Sequence, residues 1–99
     1  MPDGDVLSQL CEWYAAQCNG RWERGAAISI GGIDNPGWMV EIDLRGSRAE
    51  GAIIPQVSLD RGDGDWMRCF ERDGRFIGVG DVSKLSAILE HFLRSVGQM

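Results

Sequence analysis

"IDNPGWMVEIDL", residues 33–44, joins a chain reversal to the strand that follows it. In Asn35-Pro36-Gly37, proline presets φ near the value that the second position of a tight turn needs, and glycine accepts φ > 0 at the third. The turn predicts a hairpin. Beyond it the chain alternates, so Trp38, Val40, Ile42 and Leu44 share one face and Met39, Glu41 and Asp43 the other. The expectation is that the turn sets the register that sends Trp38 inward as the first core residue of its strand. A strand with one apolar and one polar face suits an antiparallel sheet covered on one side.

The same pattern extends from about residue 26 to 80. "AAISI" (26–30), "WMVEIDL" (38–44), "PQVSLD" (55–60), "WMRCFER" (66–72) and "RFIGV" (75–79) are short alternating segments. They are cut by "DNPG", "RGSRAEG", "RGDGD" and "DG", all chemistry for reversing an antiparallel chain. A five-strand antiparallel meander follows. In "WMRCFER" the register stays open: inward Met67 and Cys69 leave Trp66, Arg68 and Phe70 outside, and the reverse fits nearly as well.

Helical spacing brackets these strands. Residues 6–18 place Val6, Leu7, Leu10, Cys11, Tyr14 and Cys18 on one side, with Asp3 or Asp5 as a cap and Asn19-Gly20 as a stop. In residues 81–97, Leu85, Ile88, Leu89, Phe92, Leu93 and Val96 follow the helical period, while Lys84, Glu90, His91 and Arg94 fall opposite. Asp81 or Ser83 can cap this second helix and Gly97 ends it. The fold class expected is α+β: a five-stranded antiparallel meander sheet, with an N-terminal and a C-terminal helix packed on one face. The other face is then solvated or kept for a partner.

Composition narrows the function. Ninety-nine residues, 43% hydrophobic and 25% charged, predict a single domain over 1–99 with one modest core. No apolar run approaches the ~20 residues of a membrane span. The acidic start, "MPDGDVLSQL", lacks a basic n-region and an apolar h-region, which predicts no secretory signal and a cytoplasmic location. Three cysteines cannot pair completely, and on one helix Cys11 and Cys18 would stand about 10 Å apart along the axis, so all three read as reduced thiols. A net charge of −5, with Lys84 the only lysine, argues against unaided binding to nucleic acid and permits attraction to a basic protein, although solubility alone accounts for such a charge.

Catalytic signals are weak. His91 is the only histidine, on the polar face of its helix, with no triad or metal spacing around it. Glu41 and Asp43 share a strand face and formally allow acid–base chemistry, but nothing apolar nearby in sequence would raise either pKa. "GVGDVSK" and "DRGDGD" match neither a phosphate loop nor a calcium loop. The expectation is a binding protein, not an enzyme, without cofactor or metal.

Several stretches carry a resemblance. Trp13-Tyr14 with Gln17-Cys18, Gly20 with Trp22-Glu23, Asp34-Asn35-Pro36-Gly37-Trp38, Ile42-Asp43-Leu44 and Phe76-Ile77-Gly78 resemble the Immunity protein 53 family of bacterial polymorphic toxin systems. The likeness runs from about Trp13 to Leu93. It departs at Arg24, where a histidine is common, and at Gly32-Ile33, where threonine or leucine is common. The resemblance implies a small cytoplasmic protein that binds and neutralises a cognate toxin domain. A small acidic secretion-type chaperone, or another protein-binding adaptor, is the alternative.

Candidate partner-binding residues come from two sources. The sheet face away from the helices offers Met39, Glu41, Asp43, Trp66, Arg68 and Phe70: apolar area beside charge, the composition of an interface hot spot. The loops offer Asp34 and Asn35 at the reversal, and Trp22 and Glu23 in "GRWERG", where Trp22 is either a half-exposed anchor or a lid on the core.

Overall fold

The computed structural model describes residues 5–99. Helix α1 (Val6–Gln17) begins where the Asp5 carboxylate accepts from the amides of Leu7 and Ser8, satisfying two of the donors every helix start leaves free. The other candidate cap, Asp3, lies outside the described residues. A 3-10 turn at Trp22–Arg24 leads to β1 (Ile28–Ile33), β2 (Gly37–Asp43), β3 (Val57–Asp60), β4 (Trp66–Arg72), β5 (Arg75–Gly80) and α2 (Leu85–Ser95). The architecture is α+β: a five-stranded, wholly antiparallel sheet, preceded in the chain by one helix and followed by the other.

The strand order is β1-β2-β5-β4-β3, which departs from the sequential order of a meander. After β2 the chain does not fold back into an adjacent strand but crosses to the far edge through residues 44–56, which tuck Leu44, Ala49 and Ile54 into the core on the way. β5 is apolar on both sides, with Phe76 on one and Ile77 and Val79 on the other, and so takes the central place. Short β3, ending in Asp60, takes an edge, where charge discourages further pairing.

Pairing settles the register of β4. Cys69 lies opposite Gly78 and Met67 opposite Gly80, beneath α2, whereas Phe70 pairs with Ile77 and Arg68 with Val79 on the outer side. Trp66, Arg68 and Phe70 therefore face away from the helices. A Cβ on Gly78 would run into Cγ2 of Ile88, and one on Gly80 would come within 2.8 Å of Lys84 Cβ. These glycines are what let α2 lie close on the sheet.

Four details differ from expectation. The first is the hairpin. Gly37 is already in β2 and is absent from the positive-φ glycines, and the reversal is made by residues 34–36 with a cis Asn35-Pro36 peptide. Glycine is required at 37 because a Cβ there would strike the carbonyl oxygen of Gly80 on the paired strand. Trp38 does share the inner face, but it is only half-buried and its indole N–H donates to the Val82 carbonyl at 3.1 Å.

The second is the buried side of α1. Leu10, Trp13 and Gln17 are buried, while Cys11 and Cys18 are exposed and Leu7 is 59% exposed. Trp13 carries far more apolar area than any residue on the expected stripe, and it turns the helix toward Phe92 (4.9 Å between ring centroids) and Trp22 (5.5 Å), both edge to face. Gln17 follows it inward, accepting from the Arg48 amide at 2.8 Å and donating to the Trp13 carbonyl at 3.0 Å. Helix α1 thus packs chiefly along α2, which itself covers β5, β2 and β4.

The third is the start of α2. Lys84 occupies the N-cap position without a side-chain cap, and Asp81 turns aside to bind the Trp66 and Ser83 amides. The fourth is Trp22, which the site below takes up.

Candidate functional site

Opposite α2, the sheet presents an uncovered face built from every second residue of its strands. The register lines up Met39, Val79 and Arg68 in one row across β2, β5 and β4, Glu41, Ile77 and Phe70 in the next, and Asp43, Arg75 and Arg72 in the third. All six sheet-face candidates, Met39, Glu41, Asp43, Trp66, Arg68 and Phe70, come together here. Met39, Ile77, Val79, Trp66 and Phe70 are half-buried by one another and by the stems of their charged neighbours, without any helix above them.

Charge divides this face in two. On the β2 side the carboxylates are already neutralised: Arg75 reaches Glu41 at 3.5 Å and Asp43 at 3.8 Å, and Arg45 bonds Asp43 at 3.0 Å. Burial alone would push the Asp43 carboxyl up, but the side-chain and backbone hydrogen bonds of Arg45, with the charges of Arg45 and Arg75, hold it below the usual range. On the β4 side, Arg68 and Arg72 lie 5.6 and 5.4 Å from the ring centroid of Phe70, within cation–π reach. Neither guanidinium takes part in an ion pair among the described residues.

Each end of the face has a concavity. Trp66 and Arg68, with Ser58, Leu59 and Asp60 of the edge strand, enclose about 180 Å³. At the other end Phe70 joins Leu44, Ala52, Ile53 and Ile54, with Arg45, Glu50, Gln56 and Glu71, around about 420 Å³, and Ile53 is 85% exposed at its lip. Asp34 and Asn35 are exposed on the β1–β2 reversal, which the register puts at the Trp66 end of the sheet.

The "GRWERG" loop is a correction to the half-exposed anchor. Trp22 is 7% exposed, its indole N–H donates to the Asp43 carbonyl at 2.8 Å, and its ring meets those of Trp13 and Tyr14 edge to face. It is a lid on the core, drawn in because its N–H finds a backbone acceptor. Glu23 is spent locally, accepting from the amides of Asn19 (2.9 Å) and Gly20 (2.7 Å); its own backbone amide first, and then these two, lower its pKa. Arg72, Arg75, Ile77 and Val79 were not singled out from the sequence. The signal was present in "RFIGVG", where apolar residues at both alternations mark a central strand whose outer side chains join whatever site the sheet carries.

Cys69 and His91 are both occupied elsewhere. Burial pushes the Cys69 thiol up to about 11, so it stays protonated and inert at neutral pH. The Nε2 of His91 stands 2.7 Å from the Pro55 carbonyl, a contact in which it donates, and so ties the 44–56 crossing to α2. No group of three or more His, Cys, Asp or Glu side chains among the described residues could hold a metal ion, and no helix among them is long and apolar enough to cross a membrane.

Neither a curated protein nor a solved structure matches the chain. A family model described as Immunity protein 53 matches residues 7–97, from the first turn of α1 to the residue that ends α2. With that match running through both helices and all five strands, the chain belongs to the Immunity protein 53 family.

Proposed function

We propose that this chain is a cytoplasmic bacterial immunity protein that binds and neutralises the cognate toxin domain of a polymorphic toxin system. It acts by forming a fixed-ratio complex, not by catalysis. The toxin docks on the uncovered sheet face, against Met39, Trp66, Arg68 and Phe70, with Glu41 and Asp43 along one side and Asp34 and Asn35 at the Trp66 end. The observation that carries this reading is that face: a contiguous band of half-buried apolar side chains ringed by charge, left bare by both helices, on a chain of this family. A monomer seldom exposes such a band without using it.

The test is a titration against the toxin domain encoded by the adjacent reading frame. Inhibition reaches an endpoint at a fixed molar ratio, and Trp66→Ala weakens the complex by about 2 kcal/mol or more while the thermal melt stays cooperative. Multiple-turnover inactivation at substoichiometric amounts would overturn the reading. Unaltered affinity in the folded Trp66→Ala protein would take Trp66 out of the interface.

A further inference from the structure

The outer row of β4 distinguishes one part of this face from the rest. Phe70 is half-buried between two exposed arginines, and Arg68 and Arg72 share its ring without an ion-pair partner among the described residues. Every other cation on the outer rows is engaged, since Arg75 serves Glu41 and Asp43. Two like charges gathered on one ring repel each other, and the ring, which contacts carbon and nitrogen through its faces, leaves the guanidinium N–H donors free to point outward. Beside them a concavity of about 420 Å³ opens with Ile53 at its lip, apolar around Phe70, Ala52 and Ile54 and charged where Arg45, Glu50 and Glu71 join its lining.

We infer that Phe70, Arg68 and Arg72, with the concavity at Ile53, form the acceptor for a toxin segment in which carboxylates flank an apolar side chain. The inference rests on the docking reading above and gives its partner a chemistry. The apolar side chain seats between Phe70 and Ile53, and each carboxylate takes a two-pronged hydrogen bond from one arginine, the geometry that guanidinium matches best. It also revises the expectation from net charge. The chain is acidic as a whole, yet on this face the β2 carboxylates Glu41 and Asp43 are paired with arginines and the free charges on β4 are positive, so steering at β4 draws an acidic patch.

An aromatic side chain and arginines on an open sheet also suit single-stranded nucleic acid, whose bases stack on such rings. Asp60, which has no ion pair among the described residues and lies opposite Trp66 on the same outer rows, and a net charge of −5 weigh against a polyphosphate chain.

The experiment measures binding of the adjacent-frame toxin domain to the full chain and to four variants. In Arg68→Glu with Arg72→Glu the dissociation constant rises about a hundredfold or more, mostly through slower association at low salt. Arg68→Lys with Arg72→Lys keeps the salt dependence but loses about tenfold, because a point charge cannot reproduce the two-pronged contact. Phe70→Ala also weakens binding, and Arg94→Gln, on the helix side of the sheet, does not. Thermal melts confirm that each variant folds. Wild-type binding that survives the double reversal overturns the inference and leaves toxin docking standing elsewhere on the protein. No binding by the wild type overturns the docking reading and this inference with it. A labelled single-stranded oligonucleotide that binds the wild type and is released by the double reversal overturns it in favour of nucleic acid.

Discussion

Asp81 shows how far a single side chain can be committed by its surroundings. At 2% exposed it accepts from the Trp66 amide (2.8 Å), the Ser83 amide (2.8 Å), the Ser83 hydroxyl and the Lys84 ammonium (2.9 Å), tying β4 to the loop before α2. Lys84 also reaches Asp65 at 2.8 Å. The Ser83 hydroxyl and the Lys84 ammonium, helped by the two amides and opposed by burial, hold the Asp81 carboxyl far below the ordinary 3.8. A depressed folded pKa means that the contribution to stability is complete from about pH 5 upward, where the unfolded carboxyl is also ionised, and fades as pH falls through the ordinary 3.8 toward the folded value. Asp81→Asn should lower the melting temperature at pH 7 and flatten the wild-type loss between pH 4 and 2. Melts across that range check both, and parallel acid slopes would show that another carboxylate governs the loss. The sequence marked Asp81 as a helix cap. It could not show that a strand amide fifteen residues away would compete for the same oxygens.

Elements differed in how openly they declared themselves. Helix α2 did so fully, because its apolar stripe is wide and all of its buried residues, Ile88, Leu89, Phe92 and Leu93, lie on the expected side. Helix α1 did so less well: the expected stripe shares only Leu10 with the buried set, and the side that packs is fixed by Trp13, whose ring finds Phe92 and Trp22. Trp13→Ala should therefore cost about 3–5 kcal/mol, whereas Leu7→Gln, on the expected but exposed stripe, should stay within about 0.5 kcal/mol. Urea titrations of the two variants measure this directly. Equal losses would mean that α1 packs through both sides. β4 was undecided because an apolar or aromatic residue stands on either alternation, and only pairing with Gly78 and Gly80 picks the side that fits under Ile88 and Lys84.

For the whole molecule the deciding feature is the crossing at residues 44–56, which replaces a local reversal with a long-range connection. Two side chains hold it to the helices, Gln17 through the Arg48 amide and His91 through the Pro55 carbonyl. Gln17→Leu keeps the volume but leaves that amide without a partner, and should cost about 1–3 kcal/mol. Amide exchange should accelerate over 44–56 well before it does in β2 and β5. Uniform acceleration across the sheet would show instead that the crossing opens only on global unfolding.

Local chemistry was enough for the number and kind of elements, the Asp73-Gly74 hairpin with φ > 0 at both residues, the inward set Val40, Ile42 and Leu44, and the family resemblance. All of these depend on neighbours within a few residues, where φ preference and alternation act. Strand order, the burial of Trp22, the turn of α1 and the split of charge across the outer face were settled only by the folded chain. Each depends on which distant group arrives first at a shared space: Gly80 against Gly37, Asp43 beneath the Trp22 indole, Phe92 against Trp13, and Arg75 between Glu41 and Asp43. Such meetings are fixed by packing and pairing across the sheet, which no short window of sequence contains.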